Sequence, residues 1–142
     1  MESDYFFTAS SNELVLSMHF FRQEKNERLA LNFVLNFASA YQSIECETVG
    51  IWLTLSDAER FLASLNGKDS EISLINTYGC SILTIMKGSD HMLLSHDYFG
   101  DSDSCELGLF SLKISINKLF LDELTRGFDQ LVSWFQQTRN VG

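Results

Sequence analysis

A chain of 142 residues fits one domain of the commonest size, and its 45% hydrophobic content supplies a core without a disulfide or metal staple. Nineteen Asp plus Glu against ten Lys plus Arg leave a net charge of −9, so the mean surface potential repels phosphate backbones and anionic lipid. This disfavours a nucleic-acid or membrane partner.

The longest apolar runs fall far short of the roughly 18–20 residues that cross a bilayer, and the opening MESDYFF lacks the basic, apolar layout of a signal peptide. A cytoplasmic protein is expected. Cys46, Cys80 and Cys105 are odd in number and widely spaced, which argues against a disulfide framework or zinc module and for reduced thiols. Proline is absent, so turns rely on Gly, Asn, Asp and Ser.

The first strong pattern is Leu14, Leu16, Met18 and Phe20 alternating with Val15, Ser17 and His19, a period of two that predicts a strand with one buried face. After the polar connection Arg22 to Arg28, Leu29, Leu31, Phe33, Leu35 and Phe37 predict a second strand, with Asn32 and Asn36 on its solvated side. The two read as a hairpin. A third extended segment from about Ile44 to Leu55 places Val49, Ile51, Leu53 and Leu55 on one face, with Thr48, Trp52 and Thr54 on the other. Ser56-Asp57-Ala58-Glu59 then has the form of a capping box and predicts a helix over roughly 57–65, stopped by a left-handed Asn66-Gly67.

Strands resume at Ile72 to Ile75, Ile82 to Lys87 and His91 to Tyr98, the last two joined through the turn residues Lys87-Gly88-Ser89-Asp90. A loop-like stretch from Asp97 to Glu106 precedes a strand over Leu107 to Ile116. Asn117 caps a longer helix carrying Leu121, Leu124, Phe128, Leu131, Val132 and Phe135, and its interior Gly127 implies that something packs closely there. The layout is α+β: antiparallel β-sheets in two similar halves, roughly 1–67 and 68–142 of a single domain, each followed by an α-helix.

Catalytic patterns are not found. His91 and His96 differ by an odd number and fall on opposite faces of one strand, so they cannot both ligate a metal from it; His19 reads as a solvated or hydrogen-bonded imidazole. No G-x-S-x-G elbow, Walker loop or G-x-G-x-x-G runs through the chain, and Cys46 and Cys80 read as small core residues. Neither enzymatic activity nor a cofactor or metal is expected.

One local feature rises above the rest. Between Asp90 and Glu106 there are five carboxylates and no Lys or Arg. Asp101-x-Asp103 has the start of a calcium loop, but Glu106 stands where its glycine belongs and Leu112 where its bidentate glutamate belongs. Tyr98 and Phe99, ringed by Asp97, Asp101, Asp103 and Glu106, instead predict apolar anchors in an acidic rim, the arrangement that captures a basic partner by steered association. A nuclease with a cationic groove fits that description.

The two halves repeat one device, Ile51-Trp52-Leu53-Thr54-Leu55-Ser56 before the first helix and Leu112-Lys113-Ile114-Ser115-Ile116-Asn117 before the second. With its small size, acidity and lack of catalytic motifs, the chain resembles bacterial toxin immunity proteins. Its element order is similar to the Whirly-type layout, which some contact-dependent growth inhibition immunity proteins share. The resemblance covers the whole chain as layout and carries no functional residue over by position. It implies a protein that binds and neutralises a cognate toxin domain by blocking a basic active site. Whirly proteins themselves bind single-stranded DNA through a basic surface, from which the charge of −9 departs. The alternative is a type III secretion chaperone, a homodimer holding an effector segment, although such chaperones usually open on an amphipathic helix.

Overall fold

The computed structural model describes residues 4–22, 28–87, 92–96 and 112–141. Within them the chain forms β1 (Asp4–Ser11), β2 (Leu14–Arg22), β3 (Arg28–Ala38), β4 (Ser43–Thr54), α1 (Leu55–Asn66), β5 (Glu71–Ile75), β6 (Ser81–Lys87), β7 (Met92–His96), β8 (Leu112–Ile116) and α2 (Lys118–Val141). Each set of four strands is an antiparallel meander in sequence order, β1-β2-β3-β4 and β5-β6-β7-β8, and each sheet is followed by its helix. This is the α+β layout that the periodicity predicts.

The register shows why. Leu16 pairs with Leu35, Met18 with Phe33 and Phe20 with Leu31, so the large apolar residues of β2 and β3 share one face and are fully buried there. In the second sheet Ile72 faces Ile85, Leu74 faces Leu83 and Met92 faces Ile116. One buried cluster draws on both sheets and both helices.

At the centre of that cluster stands Phe128 of α2. Its ring meets Phe61 of α1 at 4.7 Å between centroids, Phe7 of β1 at 5.7 Å and Phe20 of β2 at 5.8 Å, all edge to face. Such aromatic pairs contribute about 0.5–1.5 kcal/mol each beyond the apolar area they bury. The approach is possible because position 127 has no side chain: a Cβ there would lie inside the van der Waals envelope of the Phe7 ring. Toward the end of α2, Trp134 stacks on Tyr5 at 5.9 Å, and the Tyr5 hydroxyl donates to Gln130 Oε1 at 3.0 Å. Burial, then the charge of Asp129, holds the Tyr5 phenol above its ordinary pKa, so it remains a donor at neutral pH.

Four details differ from the sequence-based expectations. β1 precedes the first expected strand; three consecutive aromatic residues, Tyr5, Phe6 and Phe7, hide its alternation. The cap of α1 is Thr54, whose hydroxyl accepts from Asp57 N while Asp57 Oδ2 accepts from Thr54 N, so the box sits two residues before Ser56. Gly67 ends α1 in an extended conformation, φ −88°, with its N–H donating to Ser64 O, and no left-handed turn is used. In β4 an extra residue enters between Thr48 and Ile51, where Gly50 adopts φ +73°. This bulge shifts the phase of the strand: Cys46 faces inward before it, Ile51 and Leu53 after it, and Val49 is turned out to solvent. The Asn117 cap agrees, Phe120 N donating to Asn117 Oδ1 at 2.9 Å, whereas the expected turn at Gly88-Ser89-Asp90, the loop over 97–106 and the 107–111 part of the last strand lie outside the described residues.

The Gly127 approach generates a test that reverses the ordinary helix preference. Alanine is a better helix former, but here its methyl group would overpack a ring already held by Phe20 and Phe128. Gly127→Ala should lower unfolding free energy in urea by about 1–2 kcal/mol, and adding Phe7→Leu should recover part of the loss. A Gly127→Ala protein as stable as the parent would show that the contact is not tight.

Candidate partner-binding face

The residues expected to bind a partner, Asp97, Tyr98, Phe99, Asp101, Asp103 and Glu106, all lie outside the described residues. The same holds for His91, while His96 falls within β7. The described surface nevertheless contains an apolar and acidic patch of its own, on the first sheet.

α2 covers the inner side of β1 and β2, and among the described residues no element covers the other side of that sheet. Its cross-strand rows follow from the register. One runs Phe6–His19–Asn32, and the next carries Asp4, Phe21, Ala30 and Trp52. Further along come Thr8, Ser17, Val34 and Glu47, then Ser10, Val15, Asn36 and Glu45. Phe6 is 56% exposed, Val49 61%, Val15 40% and Phe21 37%, all on this face. Phe6 and Phe21 adjoin through His19, while Val49 on β4 and Val15 further along β2 stand apart from them, and an adjoining exposed aromatic group marks an interaction surface where an isolated apolar residue does not.

The aromatic members are ordered by direct contacts. The His19 ring lies 4.1 Å from that of Phe21 and meets Phe6 edge-on at 5.8 Å. His19 Nε2 is 2.8 Å from Asp4 Oδ2, and since an ionised carboxylate only accepts, the proton lies on the imidazole nitrogen. Charges on this face are mainly negative, from Asp4, Glu45 and Glu47, with Arg28 opposite Thr54 in the row next to that of Asp4, Phe21, Ala30 and Trp52. The backbone also protects itself: the β4 edge carries the outward glutamates and the bulge at Gly50, whose N–H donates to Asn32 Oδ1 at 2.9 Å, devices that discourage strand-to-strand addition.

A cleft of about 570 Å³ opens elsewhere, between the hairpin ends of the first sheet and β8, lined among others by Asn12, Glu13, Phe37 and Lys113. Its described lining holds one carboxylate, Glu13, one ammonium, Lys113, and no histidine. Among the described residues no group of three His, Cys, Asp or Glu is placed to hold a metal ion. On the outer side of the second sheet, Thr84 Oγ1 lies 3.0 Å from Ser73 Oγ and 3.1 Å from Ser81 Oγ, forming a row of hydroxyls bonded to one another. No helix among the described residues is long and apolar enough to cross a membrane.

The cysteines require a correction. Cys46 and Cys80 are both buried, as expected of small core residues, but Cys80 is disulfide-bonded, with its partner outside the described residues, and Cys46 is the free thiol among the described residues. Linear spacing is a poor guide to such a bond because the condition is Cα proximity in the fold. Cys80 itself is fixed by the β5–β6 turn, where the buried Asn76 accepts from Tyr78 N and Cys80 N through Oδ1.

Sequence reasoning placed His19 correctly on the solvated face but missed Asp4 and Phe6, because β1 was not recognised. Comparison with protein-family models, curated proteins and solved structures finds no match in any of the three.

Thiol chemistry offers a direct check. Burial raises the Cys46 thiol above its usual pKa, against a smaller downward pull from its Thr48 hydrogen bond. Alkylation of Cys46 in the folded protein should therefore be slow and should set in above the ordinary thiol range of about 8.5. Cys80 should resist alkylation even in the unfolded chain until a reductant is added. Peptide mass mapping that found Cys80 alkylated on unfolding alone would contradict the bond.

Proposed function

We propose that the protein is a non-enzymatic immunity protein that binds a cognate toxin domain, of the nuclease kind, and covers its basic active site. The observation that carries this reading is the outer face of the first sheet, where exposed Phe6, Phe21 and Val49 lie among Asp4, Glu45 and Glu47 in a chain of net charge −9. Rigid aromatic anchors within an anionic field suit a cationic protein surface. The charges speed encounter and exclude wrong partners, while the buried apolar contacts set the lifetime of the complex. A nucleic acid would meet repulsion from the same carboxylates.

The reading places the chain in the cytoplasm, where such a toxin acts. Thiols are kept reduced there, so it requires Cys80 to be a thiol in the cell and its bond to form on exposure to oxidant.

The test pairs the protein with the toxin encoded beside it. Equimolar addition should abolish toxin activity, and raising salt from about 50 to 500 mM should slow association at least about tenfold while changing dissociation far less. A neighbouring cationic toxin that keeps full activity in the presence of excess protein would overturn the function. So would a concentration-independent homodimer that captures a secreted effector segment.

A further inference from the structure

Building on the reading above, we propose that Asp4, Phe6, His19 and Phe21 form a recognition site for an arginine side chain presented by the partner protein. The three rings belong to two paired strands and touch one another, His19 with Phe21 at 4.1 Å and with Phe6 at 5.8 Å, so they form a continuous aromatic strip whose geometry is set by backbone register. A planar, weakly hydrated guanidinium stacks on such faces, whereas a compact, strongly hydrated ammonium gains less.

Asp4 supplies the second element. Its Oδ2 accepts from His19 Nε2 at 2.8 Å, which orients the carboxylate next to the His19 ring, and among the described residues no partner engages Oδ1. A guanidinium lying on the strip can donate to that oxygen in plane. Ala30, between Phe21 and Trp52 in the adjacent row, is the smallest side chain on this part of the face and leaves room for the stem of an incoming residue. Arg28 stands at the end of β3, paired with Thr54. Among the described residues Asp4 is hydrogen-bonded to His19 and to no guanidinium.

Other occupants fit less well. A second copy would bring the same carboxylates against Asp4, Glu45 and Glu47, a like-charge contact in a molecule of net charge −9. A nucleobase could stack on the rings, but its phosphates would face the same anionic rim.

The experiment uses the protein alone. Amide and aromatic NMR resonances are followed while N-acetyl-argininamide or N-acetyl-lysinamide is added, each carrying one side-chain charge. The arginine probe should shift Phe6, His19 and Phe21 saturably and bind at least about threefold more tightly than the lysine probe. Asp4→Asn and Phe6→Ala, both at exposed positions that leave the core untouched, should each remove most of that response, while Asp122→Asn on α2 should not. Equal responses to the two probes, shifts centred elsewhere, or an Asp4→Asn protein that responds normally would each overturn the site. Self-association that broadens the same resonances and disappears in Phe6→Ala would assign the face to a second copy and overturn it too. If Asp4→Asn and Phe6→Ala still neutralise a toxin, the arginine site fails while the immunity function stands. If the probes bind as expected but no toxin is neutralised, the immunity reading fails and the site remains.

Discussion

The structure depends on the edge-to-face contact of Phe128 with Phe7, Phe20 and Phe61, and on the missing side chain at Gly127 that allows it. A twenty-four-residue helix is thereby pressed onto the inner face of β1 and β2, with α1 against its other flank. Losing a buried phenyl ring of this kind costs about 3–5 kcal/mol, a large share of the stability of a domain this size. The glycine's intrinsic cost of about 1 kcal/mol in a helix is small beside it.

That packing also decides where recognition can occur. With one side of the first sheet closed by α2, its opposite side has no covering element among the described residues, and every second residue of β1, β2 and β3, and of β4 on either side of its bulge, faces outward. A sheet of this kind ordinarily presents polar residues to water. Phe6, Phe21, Val15 and Val49 depart from that rule on one face, with His19 and Asp4 hydrogen-bonded among them. The ordered contacts mean that little side-chain entropy remains to be lost on binding, the condition under which an exposed aromatic group acts as an anchor.

The sequence was informative where alternation was clean and misleading where two signals overlapped. β2 and β3 could be read because Leu16, Met18, Leu31 and Phe33 alternate with polar or small neighbours. β1 was hidden because Phe6 faces solvent between Tyr5 and Phe7, so the residue that breaks the pattern is itself part of the candidate site. Alternation alone puts Val49 inward because a bulge, set by Gly50 and the Asn32 side chain, has no signature in hydrophobic period. The closeness of Phe7 to Gly127 could be anticipated only as an unexplained glycine, since its partner lies 120 positions away in the chain. Cys80 shows the same limit, because bonding is a property of the fold and spacing reports it poorly.

If recognition takes place on the outer face of the first sheet, the most direct measurement is hydroxyl-radical footprinting of the protein with and without its cationic toxin domain. The account predicts that oxidation of Phe6, Phe21 and Trp52 falls sharply in the complex, while Tyr78 and Leu119, exposed on other elements, label as before. Unchanged labelling of Phe6 and Phe21 in a complex that still forms would contradict it.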